Sequence, residues 1–348
     1  MLLNQSATRM RILYAILACV LVVCIVIATS VGPAGIGWNH TLSALLRAIP
    51  GVESLLAEHL APVTPAQSGL ILGVRLPRVI LAALTGAGLS IAGAVMQGVF
   101  ANSLAEPGVT GVSAGAAVGA VFVIVFGGVC LPPWFLTLTA FLGALAATVA
   151  VQLLAGIRGS HGATLLLVGI AINALLGAVV SATIANADSS DKAQGAMFWL
   201  NGDLSAASWR DVSVMVIPLI FGSLLLLFLS PELNLLTLGD AQATSTGVNT
   251  QLMRHLLLGL AALVTAAAVS VTGIISFVGL VVPHICRLLF GANHRRILPL
   301  SLLVGAIFLV LADLVARLLL HPVVLQTGTV TAFIGAPVLL YLVARRAR

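Results

Sequence analysis

The chain has 348 residues, of which 60% are hydrophobic and only 7% are charged. Soluble domains carry about 25% charged residues, so this composition excludes a soluble globular fold. The formal net charge of +6 does not indicate a nucleic-acid partner, because the basic residues are scattered and the chain has a single lysine, Lys192. We therefore expect a membrane protein surrounded by lipid, with no nucleic-acid partner.

Apolar segments long enough to cross a bilayer occupy most of the chain. A spanning helix needs about 20 mainly apolar residues, and lipid forces each span to satisfy its own backbone hydrogen bonds. The pattern predicts an all-α polytopic membrane protein with about ten transmembrane helices. They are expected near 12–31, 76–99, 109–129, 133–155, 163–185, 212–230, 252–272, 274–290, 297–319 and 327–343. The stretch from the end of the first span to about residue 74 is expected to be a loop, and so is the stretch over about 186–210.

The distribution of basic residues predicts the orientation. An even number of spans places both termini on one side, and an N-terminus in the cytoplasm leaves ten basic residues inside and six outside. Cytoplasmic loops carry an excess of Lys and Arg, so we predict an N-in, C-in topology. The first apolar run is longer than the roughly 7–15 residues of a signal peptide and is expected to remain as a helix. We expect a single transmembrane domain over residues 1–348.

Glycine and cysteine are both interpreted as packing residues. Gly111, Gly115 and Gly119 recur every four residues on one helix face, a pattern that lets two helix backbones approach closely. The cysteines lie in apolar segments without a CxxC pair, so we expect small buried hydrophobes rather than metal ligands or disulfides. They are Cys19, Cys24, Cys130 and Cys286.

Sequence signals of catalysis are missing. An ATPase would need a GxxxxGK(S/T) loop, but Lys192, the only lysine, follows Asp191 and has no such loop. The sequence also has no HExxH, no DDxxD cluster and no evident pair of intramembrane histidines for haem. Ion-coupled carriers bury carboxylates near mid-membrane, whereas the acids here, Asp313 included, lie near span ends. We expect no catalytic residue, metal or cofactor in this chain, and a separate ATPase subunit that binds ATP and Mg²⁺.

Five groups of short motifs occur in order between about residues 70 and 343. They are RLPR at 75–78 with MQG at 96–98 and NSLAEPGVTGVS at 102–113; Phe198-Trp199 through Gly202 to Trp209-Arg210; LGD at 238–240 with Ala243 and Gly247; 273–299, which contains FVGLVVPH; and ADLVARL at 312–318 with 328–337. Together they resemble the FecCD family, the permeases of ABC importers for iron chelates, haem and cobalamin. Ser103 stands where the family has proline, and Asp240 where it has glutamate.

The resemblance implies an assembly as well as a fold. The implied partners are a second copy of this chain in a homodimer with the pathway at its interface, two ABC ATPase subunits, and a periplasmic or lipid-anchored substrate-binding protein. The implied location is the cytoplasmic (inner) membrane of a bacterium. We expect an iron(III)–siderophore as substrate, with haem or cobalamin as alternatives that no motif excludes. A membrane-embedded enzyme or a redox-complex subunit is a more distant alternative.

The resemblance also implies three sites. Arg75, Arg78 and Arg317 are expected on the outer surface, where they would dock acidic residues of the binding protein; Arg317 could instead pair with Asp313 or reach the interface. Residues of the 231–249 segment are expected to form two short helices that contact the ATPase, unless this is an ordinary loop: Leu238, Gly239, Asp240, Ala243 and Gly247. Residues between spans two and three are expected to close an inner gate, unless they only form a capping turn: Asn102, Ser103 and Leu104.

Overall fold

A computed structural model describes residues 7–32, 35–51, 60–127, 131–156, 162–320 and 323–346. These ranges are helical and contain no strand beyond an isolated bridge between Leu320 and Val323. The α-helices are α1 (Ala7–Ser30), α2 (Trp38–Arg47), α3 (Pro65–Leu70), α4 (Leu76–Val99), α5 (Val112–Phe126), α6 (Trp134–Gly156), α7 (Gly162–Ala185), α8 (Ser190–Leu200), α9 (Trp209–Phe228), α10 (Ser230–Leu236), α11 (Asp240–Ser245), α12 (Thr250–Thr272), α13 (Val278–Phe290), α14 (His294–Leu318) and α15 (Thr327–Arg346). The predicted all-helical membrane fold is confirmed.

The apolar helices match the predicted spans one for one. In the described part of the chain, seven helical segments are long and apolar enough to cross a membrane: α1, α3 joined to α4, α6, α7, α9, α12 and α14. Three shorter apolar helices, α5, α13 and α15, correspond to the other expected spans. The ten crossings and the N-in, C-in orientation stay predictions.

Two expected loops contain helix. Thr64 begins α3 with a capping box, in which its hydroxyl accepts from Gln67 N and its own N–H donates to the Gln67 side chain. A π-helical turn, Ile71–Arg75, then joins α3 to α4, so the second span begins about eleven residues earlier than predicted. Ser189 similarly caps α8 inside the second expected loop. The same feature explains both differences from the predicted loops. In each case a capping side chain accepts a hydrogen bond from an N–H group of the first turn that lacks a helical partner, and this stabilises the start of the helix.

Helix α4 is the central helix of the bundle. It is largely buried and packs against α12, α13 and α14. Gly86 of α4 lies against the backbone of Gly305 in α14, and Gly93 lies against the backbone of Gly279 in α13. Because side chains are absent at these crossings, the helix backbones meet directly.

The predicted packing residues are only partly buried. Cys286 is buried, but Cys19 is exposed and Cys24 is half-buried, which corrects the expectation for these two. The reason is that α1 lies at the edge of the bundle and little of it is covered. Cys130 lies outside the described residues.

The three glycines of the third span have two different surroundings. Gly115 and Gly119 face α6, where a Cβ would meet the carbonyl oxygens of Gly143 and Thr139. Gly111 precedes the helix as its N-cap, with φ of +86°, a conformation that favours glycine. The three do not therefore form one stripe on a continuous helix.

Candidate translocation face and partner sites

The backbone between α12 and α13 is not helical. Residues 273–277 form no helical turn, and Gly273 and Phe277 at its ends both have positive φ. At its outer end this segment contacts Trp199 and Gly202, and just beyond its other end Gly279 contacts Gly93 of α4. At 1.5 Å per residue, Gly93 lies about 25 Å along α4 from its first residue. The non-helical segment thus runs deep into the bundle.

Glu106 stabilises the inner end of this segment. Its carboxylate lies beside the backbone N–H of Phe277, immediately before α13. A carboxylate is favourable there because the first N–H groups of a helix lack partners and carry partial positive charge. Burial raises the pKa of Glu106, and the neighbouring backbone N–H of Phe277 opposes that rise. The next residue, Pro107, packs on Gly279, so the 101–111 connection and the start of α13 are fixed together.

Two cavities lie along the non-helical segment. One, of about 540 Å³, is bounded by this segment, Leu200 and α15. The other, of about 500 Å³, is bounded by the same segment, α5, α7 and Glu106. Ile274 and Ser276 line both. Non-helical backbone at membrane depth is tolerated only where it is buried in protein or lines a water-filled cavity.

The polar groups of these two cavities define what we call the polar face. Its members are Glu106, Ser113, Asn173, Asn201, Ser276 and Thr329. The sequence did not identify this face, because the acids of the chain were expected only near span ends. One signal was present: Glu106-Pro107-Gly108 interrupts an apolar stretch where neither a helix nor a simple turn requires a carboxylate.

Asp313 is the centre of a buried ionic cluster at the other end of α4, near its first residues. Only 1% of its side chain is exposed. Arg78 binds it with two guanidinium nitrogens, the closest contact being 2.8 Å. Arg317 contacts it at 3.1 Å, and the Thr327 hydroxyl donates to it at 3.0 Å. The cluster therefore ties α4, α14 and α15 together.

Two of the predicted docking arginines also hold the C-terminus of α1. Arg75 donates to the carbonyl oxygens of Thr29 and Ser30, and Arg317 donates to those of Ala28 and Val31. The last carbonyls of a helix lack helical partners and attract cations. This contact gives a structural reason for arginines at this end of the spans.

Arg75, Arg78 and Arg317 are thus brought together as predicted, but they point into the protein. The alternative pairing of Arg317 with Asp313 is present. Arg75 is 6% exposed, and the side chains of Arg78 and Arg317 are 12% and 9% exposed. Their docking of a binding protein is untested and stays a prediction.

The 231–249 segment does form two short helices, α10 and α11, joined by a turn, as predicted. The turn uses Gly239 at φ +104°, and a second turn after α11 uses Gly247 at φ +87°. Asp240, at the start of α11, forms an ion pair of 2.7 Å with Arg254 of α12. Leu238 is 63% exposed, whereas Ala243 is fully buried. Leu238 is therefore an apolar member that a partner can touch, and Asp240 and Gly247 are exposed as well.

A contact chain joins these short helices to the 101–111 connection. Leu233 of α10 and His294 of α14 both pack on Gly98, near the end of α4. The side chain of Asn234 accepts from His294 N at 2.8 Å and lies 3.0 Å from its Nδ1. Through these contacts, a displacement of α10 would also displace the residues that follow Gly98.

Asn102, Ser103 and Leu104 form a tight turn in that connection. The Asn102 side chain accepts from Leu104 N at 3.0 Å, and its backbone carbonyl accepts from Ala105 N. Such turns are typical of asparagine. Leu104 is 46% exposed, so its side chain is available for contact outside this chain. The gate function is untested.

Comparison with known proteins identifies the family. A model of the FecCD transport family matches residues 20–345. The chain belongs to the FecCD transport family. FecCD permeases are membrane subunits of ABC importers in which separate subunits hydrolyse ATP, and the chain is accordingly a multi-pass permease of the cytoplasmic membrane. Family membership implies ATPase and substrate-binding partners.

Relatives within the family are named for different substrates. The chain is 42% identical to a cobalamin import permease of Halobacterium salinarum over 92% of this chain and 86% of that protein. It is 41% identical to a hemin transport permease of Yersinia pestis over 79% of this chain and 83% of that protein. It is 42% identical to an iron chelatin permease of Helicobacter pylori over 79% of this chain and 82% of that protein. A solved structure described as a metal-chelate type ABC transporter in an inward-facing conformation is 32% identical, with a TM-score of 0.83 over 96% of this chain and 99% of that one.

Proposed function

We propose that this chain forms the non-catalytic pathway of an importer for an iron(III)–siderophore complex, and that the substrate passes along the polar face. The observation that carries the proposal is the non-helical segment 273–277, because lipid-exposed backbone of this kind would leave hydrogen-bonding groups unsatisfied. Two cavities of about 500 Å³ along it give room for part of a chelate.

The composition of the cavities favours a siderophore over haem. A flat apolar macrocycle would be held best by aromatic side chains, but Phe333 is the single aromatic residue among the described residues that line the two cavities. Hydroxyl, amide and carboxyl groups supply the polar contacts instead, through Ser113, Asn173 and Glu106. These groups suit a ligand rich in carbonyl and hydroxyl oxygens. Cobalamin also carries many polar groups, so the composition of the cavities distinguishes it from a siderophore less well than it distinguishes haem.

The test is a substrate panel on the reconstituted complex of permease, ATPase and binding protein. Hydroxamate and catecholate iron(III)–siderophores are expected to raise ATPase rate and uptake, whereas haem and cobalamin leave both at the basal level. Stimulation by haem or cobalamin alone would contradict the siderophore assignment but would still agree with an importer permease. No stimulation by any chelate, with all subunits assembled, would contradict the importer itself.

The proposed assembly is a homodimer with two ATPase subunits on the α10–α11 side. ATP and Mg²⁺ are held by those subunits, and this chain contributes no cofactor site. Leu238 would enter the ATPase surface as an apolar anchor. The contact between Leu233 and Gly98 would then transmit movement of α10 to the turn at Asn102.

Leu238→Glu is expected to abolish association with the ATPase and substrate uptake. The reason is that a charge on an exposed apolar anchor would remain desolvated in the interface. Association is measured by co-purification, with Leu238→Met as the matched control. Ala243→Glu should also abolish uptake, but through local unfolding, since Ala243 is fully buried. Normal uptake by the Leu238→Glu protein at normal membrane level would contradict the assignment.

A cysteine at Leu104 is expected to cross-link the two subunits of the proposed homodimer in the resting state, and less so with a non-hydrolysable nucleotide. The exposed position of Leu104 makes it a better probe than Asn102, whose side chain holds the turn. The background should lack the native cysteines. Leu252→Cys, at an exposed site on α12, is the control. A verified dimer without any Leu104 cross-link counts against the gate.

Docking of the binding protein at the arginine cluster is also proposed, and Arg75 allows the cleanest test. Reversal of Arg78 would place a second carboxylate beside Asp313, so lost docking could reflect misfolding. Arg75→Gln removes the charge without breaking that ion pair. We expect about tenfold weaker binding at low salt and a smaller difference at high salt. Lys192→Gln, which removes a partly exposed positive charge from α8, is the control. Equal affinity in a folded Arg75→Gln permease would refute docking here.

A further inference from the structure

A third cavity, separate from the polar face, opens between α6, α9 and α12. Its volume is about 840 Å³. Its wall is mainly apolar and includes Leu138 and Phe141 of α6, Val214 and Ile217 of α9, and Val271 of α12. Ile217 is 72% exposed, so the cavity opens to an apolar outer surface of the bundle, and the buried Leu81 of α4 lies at its inner wall.

The mouth of this cavity lies at headgroup depth. Trp134 begins α6 and Trp209 begins α9, and Trp134 itself lines the cavity. Tryptophans at span ends are characteristic of the membrane–water interface. The last turn of α12, with Ser270 and Val271, lies at the same end. The apolar wall therefore extends from the interface along the spans, as an acyl chain would.

Charged groups of both signs surround the mouth. Asp203, Arg210 and Asp211 all line the cavity. Ser205 donates to Oδ1 of Asp203, and Ser208 donates to Oδ2 of Asp211. Among the described residues, the second oxygen of each carboxylate has no hydrogen-bond partner. Arg210 is exposed, and its guanidinium forms no ion pair within the same part of the chain.

The geometry points to a binding site for one zwitterionic phospholipid with a primary ammonium headgroup, such as phosphatidylethanolamine. Arg210 would bind the phosphate, because guanidinium groups hold phosphate oxygens with paired hydrogen bonds. Asp203 and Asp211 would accept from the ammonium, and the apolar wall would hold acyl chain. A lipid without a cationic headgroup would leave two carboxylates unmatched, which argues against an anionic phospholipid.

The assembled permease–ATPase complex is the sample for the test. It is washed stepwise with detergent, and bound lipid is quantified by native mass spectrometry after incubation with phosphatidylethanolamine or phosphatidylglycerol. We expect one phosphatidylethanolamine per permease to remain after other lipid is lost, and about tenfold weaker retention of phosphatidylglycerol. Asp203→Asn with Arg210→Gln should abolish the preference. Ala206→Phe, which fills the cavity without changing charge, should abolish retention.

Arg295→Gln, an exposed arginine at the opposite end of the spans, is the matched control and should retain lipid as the unmodified protein does. Thermal unfolding of each variant distinguishes loss of lipid binding from loss of folding. The charge variants change the mouth of the site, whereas Ala206→Phe changes its apolar cavity. Equal retention of both lipids, or retention unchanged in the Ala206→Phe protein, would overturn the proposal. A co-purifying transmembrane peptide in the cavity instead of lipid would overturn it as well.

Discussion

Asp313→Ala is expected to destabilise the protein by about 3–5 kcal/mol. The carboxylate is 1% exposed and neutralises Arg78 and Arg317, whose guanidinium groups are themselves nearly buried. Removal of one partner from a buried ion pair leaves an uncompensated charge, which costs far more than the pair contributes. Asp313→Asn should be destabilising too, because it keeps the hydrogen bond with Thr327 but not the charge. The measurement is thermal unfolding of the purified permease in nanodiscs.

The control for this experiment is the same substitution in an exposed ion pair. Asp188→Ala removes the partner of Lys192, but the Asp188 side chain is 69% exposed. Exposed pairs contribute little to stability, so the unfolding temperature should not change measurably. The Lys192 hydrogen bond lowers the pKa of Asp188, and solvent can replace it. Equal stability of the Asp313→Ala protein and the unmodified protein would show that Arg78 and Arg317 find other partners.

Gly93→Ala is expected to abolish transport and to lower stability by about 3 kcal/mol. A Cβ at residue 93 would overlap the backbone carbonyl of Gly279, which no rotamer change relieves. Overpacking of this type costs about 1–3 kcal/mol, and rigid backbone on both sides places this site at the upper end. The start of α13 would move away from α4, and the Phe277 N–H would move away from the Glu106 carboxylate. Uptake and thermal unfolding are both measured.

Gly259→Ala is the matched control on α12. Nothing lies within 4 Å of a Cβ built at that residue. Alanine in an open helical position is favoured over glycine by about 0.5–1 kcal/mol, so stability should rise slightly and uptake should be unchanged. Normal uptake by the Gly93→Ala protein would instead show that the α4–α13 crossing is adaptable, and that its close approach is not required for transport.

The sequence by itself determined the fold class and the family. Runs such as 252–272 are long enough to cross a bilayer and carry almost no charge. Within lipid, such a run satisfies its backbone hydrogen bonds by forming a helix. Motifs such as NSLAEPGVTGVS and FVGLVVPH are local and ordered along the chain, so no tertiary information was needed to find them. The two short helices around Gly239 were predictable for the same reason.

Only the tertiary structure decided which distant residues meet. Arg78 and Asp313 are 235 residues apart in the chain, and no local pattern indicates that one bends inward to bind the other. Glu106 was visible in a motif, but its contact with Phe277 depends on how α13 enters the bundle. Leu238 and Ala243 share one motif, yet one is exposed and the other buried. The physical reason is that burial and ion pairing follow from helix crossings, which depend on the packing of several helices at once and not on the period of any single segment.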